Sequence, residues 1–253
     1  MWGEIYFLNI RALINLIASI IIYSLLTACG NVKDFSDNPH AHLLDYKFSC
    51  SKIGTAKRAG SSILILGDST FTRGNACGSV KEVLTRFTST KKVQNNSISS
   101  GEILNDGYRG ILARYTSASE WDYIIIGGGG TELWKCGNNS TCHKRNSEKI
   151  KSKISTFIRE QNIRPERLIF VYHTNVAANA PRSLKQAING GGGSAIRKTY
   201  RYLTQQFPGS TFIDFTNLTG TRDPSMWERD GYHPTTEAYK RLVVDLMGTG
   251  ILK

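Results

Sequence analysis

An α/β fold, with a five-stranded, mostly parallel sheet held between two helical layers, is predicted by three observations on the sequence. Short apolar runs recur from Ser61 onward, with helix-like segments between them. Several of these runs are apolar throughout rather than alternating, which suits strands buried on both faces. Strands that alternate with helices form a parallel sheet covered on both sides, a three-layer αβα sandwich. The 253 residues and a hydrophobic fraction of 40% suffice for one large domain with a sizeable core.

Taken in order, "SILILGD" is the first strand, "KKVQNNSI" a less apolar second, and "WDYIIIGGGG" a third that ends in four glycines. "RLIFVYH" and "TFIDF" are the fourth and fifth. Ile150, Ile154, Phe157 and Ile158 fall at helical spacing within Asn146 to Gln161. In "TEAYKRLVVDLMG" Ala238, Leu242, Val243 and Leu246 share one helical face, and Gly248 is a stop signal. The Gly190 to Gly193 run reads as a flexible linker, since a phosphate loop would follow a strand directly and carry Gly-Lys-Ser/Thr.

The first 28 residues form a separate unit. Ala12 to Ala28 is apolar and uncharged, as in a signal peptide. Leu26-Thr27-Ala28-Cys29 resembles a bacterial lipobox, in which a peptidase cuts before a cysteine that carries lipid. This predicts a lipoprotein signal peptide over 1–28 with lipidation at Cys29, and a chain anchored to the membrane outside the cytoplasm. An uncleaved signal anchor gives the same side. Gly30, in place of an aspartate after the cysteine, predicts outer-membrane sorting in a Gram-negative cell. Residues 29–60 are polar and read as tether and lead-in, and 61–253 as the globular domain. The net charge of +12 favours anionic surfaces such as phospholipid or cell-wall polymer; nucleic acid is not the expected partner.

Cys50, Cys77, Cys136 and Cys142 remain after Cys29, an even number that suggests two disulfides in an exported domain. "CGNNSTC" reads as a loop that closes Cys136 onto Cys142, leaving Cys50 with Cys77. A zinc site is the rival, with His143 the one nearby histidine, but the spacings are not paired CxxC.

Ligands of such sheets sit beyond the carboxyl ends of the strands. That edge gathers Asp68-Ser69, the glycines after Ile126 and the loop around His173. A serine hydroxyl needs a base to become a nucleophile. Among five histidines, His233 in "ERDGYHPTTEAY" stands out, because Asp230 three residues earlier on a turn can accept its Nδ1–H and aim Nε2 outward.

Gly-Asp-Ser at the start of the domain, with Asp-x-x-His before its last helix, resembles the SGNH or GDSL-type hydrolases. The two blocks bracket Ser61 to about Leu246. The resemblance implies a flavodoxin-like sheet and an ester hydrolase. Ser69 would be the nucleophile, His233 the base and Asp230 its orienter, with no cofactor and no metal. It also implies an oxyanion hole from the N–H groups of Ser69 and Gly101. The family's third block reads Gly-x-Asn-Asp, whereas this chain reads Gly129-Gly130-Thr131-Glu132, placing Thr131 where an asparagine donor is expected. The implied substrate is a small acyl ester, with O-acetyl carbohydrate first. An O-acyltransferase using the same residues, and a catalytically weak envelope protein that binds glycan or lipid, are the alternatives. Trp134 and Trp227 are candidates for stacking on a sugar or for core packing, His173 for a structural or lining role, and Arg73 for an anionic group.

Overall fold

A computed structural model describes residues 33–48, 60–72, 78–117, 120–174, 176–219 and 223–252. The expected signal segment, Cys29, Cys50, Arg73 and Cys77 lie outside them. Among the described residues no helix is long and apolar enough to cross a membrane.

Five strands form one sheet in the order β2-β1-β3-β4-β5: β1 (Ser62–Leu66), β2 (Lys92–Asn95), β3 (Tyr123–Ile126), β4 (Leu168–Tyr172) and β5 (Thr211–Asp214). Every pairing is parallel, so the sheet is wholly parallel rather than mostly so. All residues of β1 and β4 are buried, which is why their sequences show no alternation. The alternation is between two apolar faces. Ile63, Ile65, Ile125, Ile169 and Val171 join one core cluster; Leu64, Leu66, Ile124, Ile126, Phe170 and Tyr172 join the other.

The first cluster is covered by α2 (Val80–Phe87), α7 (Phe215–Thr219) and α8 (Thr236–Gly248). The second is covered by α4 (Ser140–Glu160) and α6 (Gly193–Gln206). Two short helices, α1 (Ser69–Thr72) and α3 (Gly130–Trp134), follow β1 and β3, and α5 (Arg182–Ala187) precedes α6. Ser79 caps α2 by accepting the Glu82 N–H at 3.3 Å, while Glu82 accepts the Gly78 N–H at 2.5 Å, a near-reciprocal start fixed by the sequence Ser-x-x-Glu.

One expectation needs correction. The Gly190–Gly193 run is no free linker. Residues Ile188–Gly192 make a kinked joint between α5 and α6, with Gly191 at φ 123°. A Cβ on Gly193 would lie 2.0 Å from the Thr174 carbonyl oxygen, so glycine is required by close packing on the chain after β4. Part of the lead-in is ordered against the domain. Residues 33–48 lie on α8: Phe35 is buried in the core, the Lys33 N–H donates to the Asn217 carbonyl at 2.8 Å, and Lys33 pairs with Asp245. The buried Lys240 ammonium donates to the carbonyls of Leu44 at 2.6 Å and Tyr46 at 3.0 Å and pairs with Glu237. An alkyl stem buried under a fully bonded ammonium tolerates that position.

Candidate active site

The Gly-Asp-Ser tripeptide lies at the carboxyl edge of β1. Gly67 lets the chain turn against Phe71, whose Cδ2 would be 2.4 Å from any Cβ there. Asp68 is buried, and its Oδ1 accepts the Thr70 N–H at 2.9 Å, which folds the chain directly into α1. Tyr239 of α8 donates its hydroxyl to the Thr70 carbonyl at 2.6 Å, fixing the turn from behind. Ser69 is thereby held as the first residue of a one-turn helix.

His233 arrives from the other end of the chain. Its Nε2 lies 2.9 Å from Ser69 Oγ, and its Nδ1 lies 2.5 Å from Asp230 Oδ2. The other Asp230 oxygen accepts the N–H groups of Tyr232 and His233, each at 3.0 Å. Burial pushes the Asp230 carboxyl up, but the hydrogen bonds from His233 and Tyr232 outweigh it and hold the group below the usual carboxylate range. The loop is closed by the Glu228 N–H donating to the His233 carbonyl at 2.8 Å. An ionised carboxylate on Nδ1 favours the tautomer with an Nε2 lone pair facing Ser69, so the arrangement can take a proton from that hydroxyl.

Glu228, Asp230 and His233 are also the one group of possible metal ligands found among the described residues, with ligand atoms within 4.8 Å of one another. Two of the three already bond to each other as described. Cys136 and Cys142 are joined as a disulfide, as the loop sequence suggests, so their sulfurs do not form the thiolate pair a zinc site needs. His143 packs beside them, with Nε2 2.8 Å from the Gly137 carbonyl.

Opposite the histidine, the arrangement differs from expectation. The Gly101 N–H closes a β-turn onto the Ile98 carbonyl at 3.0 Å and is not free to hold an oxyanion. The position is crowded as well: a Cβ at Gly101 would lie 2.7 Å from Ile98 Cγ2 and 2.9 Å from Ile111 Cγ1, and the glycine is buried. Ser100, third in the turn, takes φ 56°, a left-handed conformation unusual for serine. Its own N–H meets no backbone acceptor among the described residues. Sequence alone carried no sign of this, because a serine in a positive-φ turn position looks like any other loop serine.

Thr131 is the second residue of α3, beyond the carboxyl end of β3, the strand beside β1 in the sheet. The glycines before it are explained by crowding: Gly128 and Gly129 have φ 151° and 94°, and a Cβ on Gly130 would lie 1.7 Å from the Tyr172 hydroxyl. Tyr172 and Tyr232 bond through their hydroxyls, linking this corner to the Asp230–His233 loop. His173 is fully buried, stacked on Tyr172 at 4.8 Å and edge-on to Tyr232 at 4.5 Å and Trp227 at 5.6 Å, which makes it a packing residue. Trp227 is buried with it, whereas Trp134 is 54% exposed.

A parallel sheet in this order, with a serine, a histidine and an aspartate aligned at its carboxyl edge, is the framework of an α/β ester hydrolase. Residues 63–245 match the family described as GDSL-like Lipase/Acylhydrolase, more than half of the chain, and the protein belongs to that family. The match supports ester hydrolysis as its chemistry. Solved structures of similar fold include a GDSL-like lipase from Bacteroides thetaiotaomicron, with 16% identity, TM-score 0.50, and coverage of 76% of this chain and 87% of that one. A phospholipase A1 from Streptomyces albidoflavus gives 10% identity, TM-score 0.53, and 76% and 99% coverage. A lipase from a goat rumen metagenome gives 16%, 0.52, and 75% and 97%. At these identities they show the fold alone. No curated protein matches the chain in sequence.

Proposed function

We propose that this protein is a serine esterase that removes small acyl groups, O-acetyl groups on carbohydrate first among them, by a Ser69–His233–Asp230 triad. The observation that carries the reading is the continuous line of hydrogen bonds from Ser69 Oγ through His233 to Asp230, at 2.9 and 2.5 Å. In this mechanism Ser69 Oγ attacks the ester carbonyl carbon as its proton passes to His233 Nε2. The tetrahedral intermediate collapses, and the proton is delivered to the departing alcohol. Water, activated by the same nitrogen, then releases the acid and restores Ser69. Asp230 stays ionised and stabilises the charged imidazole.

The oxyanion would be held by main-chain N–H groups of Ser69 and Ser100 and by the Thr131 hydroxyl. Ser100 takes this role in place of Gly101 because the Gly101 N–H is bonded to the Ile98 carbonyl, whereas the Ser100 N–H meets no backbone acceptor among the described residues. The carbohydrate part of the proposal is supported by Trp134, exposed one helical turn beyond Thr131 and thus on the same side of α3, where a flat ring can lie against a sugar. The Cys136–Cys142 disulfide suits an oxidising compartment, in keeping with export and a lipid anchor at Cys29.

The test is hydrolysis of a short-chain aryl ester, with fluorophosphonate labelling in parallel. Activity and labelling are expected in the native protein and in neither Ser69→Ala nor His233→Ala. Hydrolysis that survives both changes overturns the assignment.

A further inference from the structure

Glu132, the residue after Thr131, is buried in the first turn of α3 at 3% exposure. Its Oε1 accepts the Leu104 N–H at 2.9 Å, across 28 residues of chain. Its Oε2 is buried and meets no hydrogen-bond partner among the described residues. Its carbonyl is held in turn by the Asn146 side-chain amide of α4 at 3.1 Å, and that amide also lies 3.4 Å from Cys136 Sγ. On the surface Lys135 pairs with Glu102 at 2.8 Å. Two ties therefore join α3 to the segment that runs from Ser100 to Leu104, one exposed and one buried. Glu132 is the buried one, and the two segments it joins carry Thr131 and Ser100.

We propose that Glu132 is a positioning residue for the oxyanion side of the site, and that it acts as a neutral acid, so that its ionisation switches the site off. The inference rests on the esterase reading. A carboxylate with one buried, unpartnered oxygen is costly, whereas a neutral carboxylic acid keeps the Leu104 bond through its carbonyl oxygen. The neutral form also puts no negative charge next to an oxyanion. Burial pushes the Glu132 carboxyl up to about 7; the N–H groups of Leu104 and of Glu132 itself oppose this, the Asp68 charge adds to it, and the Ile103 N–H opposes it.

Among the described residues no cation pairs with the Glu132 carboxyl. Of the ionisable groups on the surrounding elements, Asp68 at the end of β1 is an acid, and Tyr172 of β4 and Tyr200 of α6 are neutral phenols raised further by burial. His143 of α4 bonds the Gly137 carbonyl. Lys135 is held by Glu102, Lys185 of α5 by the Ala178 carbonyl, and Lys144, Arg145, Lys149 and Arg182 are exposed.

Above neutral pH the ionised form repels the developing oxyanion, so kcat should fall on the alkaline side while KM stays level. The experiment is kcat and KM for an aryl ester from pH 5 to 10 in the native protein, Glu132→Gln and Glu132→Ala. The native profile is expected to fall several-fold above about pH 7. Glu132→Gln, which keeps an acceptor for Leu104 but cannot ionise, is expected to stay level there. Glu132→Ala is expected to lose about tenfold or more at every pH. An alkaline fall unchanged in Glu132→Gln, or absent from the native protein, overturns the inference and leaves the esterase reading intact. Activity that survives Ser69→Ala overturns the esterase reading instead. The carbon-13 signal of the Glu132 carboxyl in native protein titrates independently of any variant; a midpoint near 7 is expected, and one below 5 overturns the proposal.

Discussion

In the loop from Asp230 to His233, four residues of chain carry both ends of the bond that orients the imidazole, and the same aspartate anchors the loop through two main-chain N–H groups. Across Ser69, the turn at Ile98–Gly101 and the start of α3 are far apart in sequence, and the segment after the turn is tied to α3 by the Glu132–Leu104 bond and the Lys135–Glu102 pair. The first region is a local device that any chain with this tetrapeptide can build. The second is assembled by the packing of the whole domain, and its precision depends on side chains that never touch a substrate. Damage to the first should therefore be abrupt and confined to chemistry, and damage to the second graded.

Asp230→Asn breaks the local device outright. It keeps the shape but presents the wrong hydrogen on Nδ1, and kcat is expected to fall about 10⁴-fold with little change in KM or stability. A fall under tenfold would show that His233 is oriented by the loop backbone alone. Thr131→Ala tests the assembled side at one atom. Loss of a single oxyanion donor should lower kcat on the order of 10²-fold, read as kcat at saturating ester, and no loss would remove its hydroxyl from the hole. Ser100→Gly is the smallest change. Glycine adopts φ 56° without strain, so kcat should be unchanged and thermal unfolding should shift by no more than ~1 kcal/mol in either direction. A large loss of kcat would show that the serine side chain, not its main-chain N–H, is what the site uses.

The same contrast explains what could be read from the chain. The strands β1, β3 and β4 declare themselves as unbroken apolar runs, and α8 as a helical face ended by glycine, because burial on both faces or on one leaves a periodic record. Asp230 and His233 are legible because their geometry is a matter of spacing. Ser100 and Gly101 are not. Which of two adjacent N–H groups is taken up by the Ile98 carbonyl depends on how the turn folds, which the residue types at 98–101 do not declare. Glu132 reads as a departure from a family pattern, and only its burial against Leu104 turns it into a working part. The glycines at 190–193 mislead for a related reason, since composition does not distinguish a flexible run from one crowded into a joint.

The Lys33 contacts with Asn217 and Asp245 have a mechanical consequence. Four peptide units separate Cys29 from Lys33, a reach of at most about 14 Å. With an acyl chain on Cys29, as proposed, the domain would ride on a short leash and could sweep little of the space around it. Under that proposed anchoring, the esters within reach would be those close to the membrane surface.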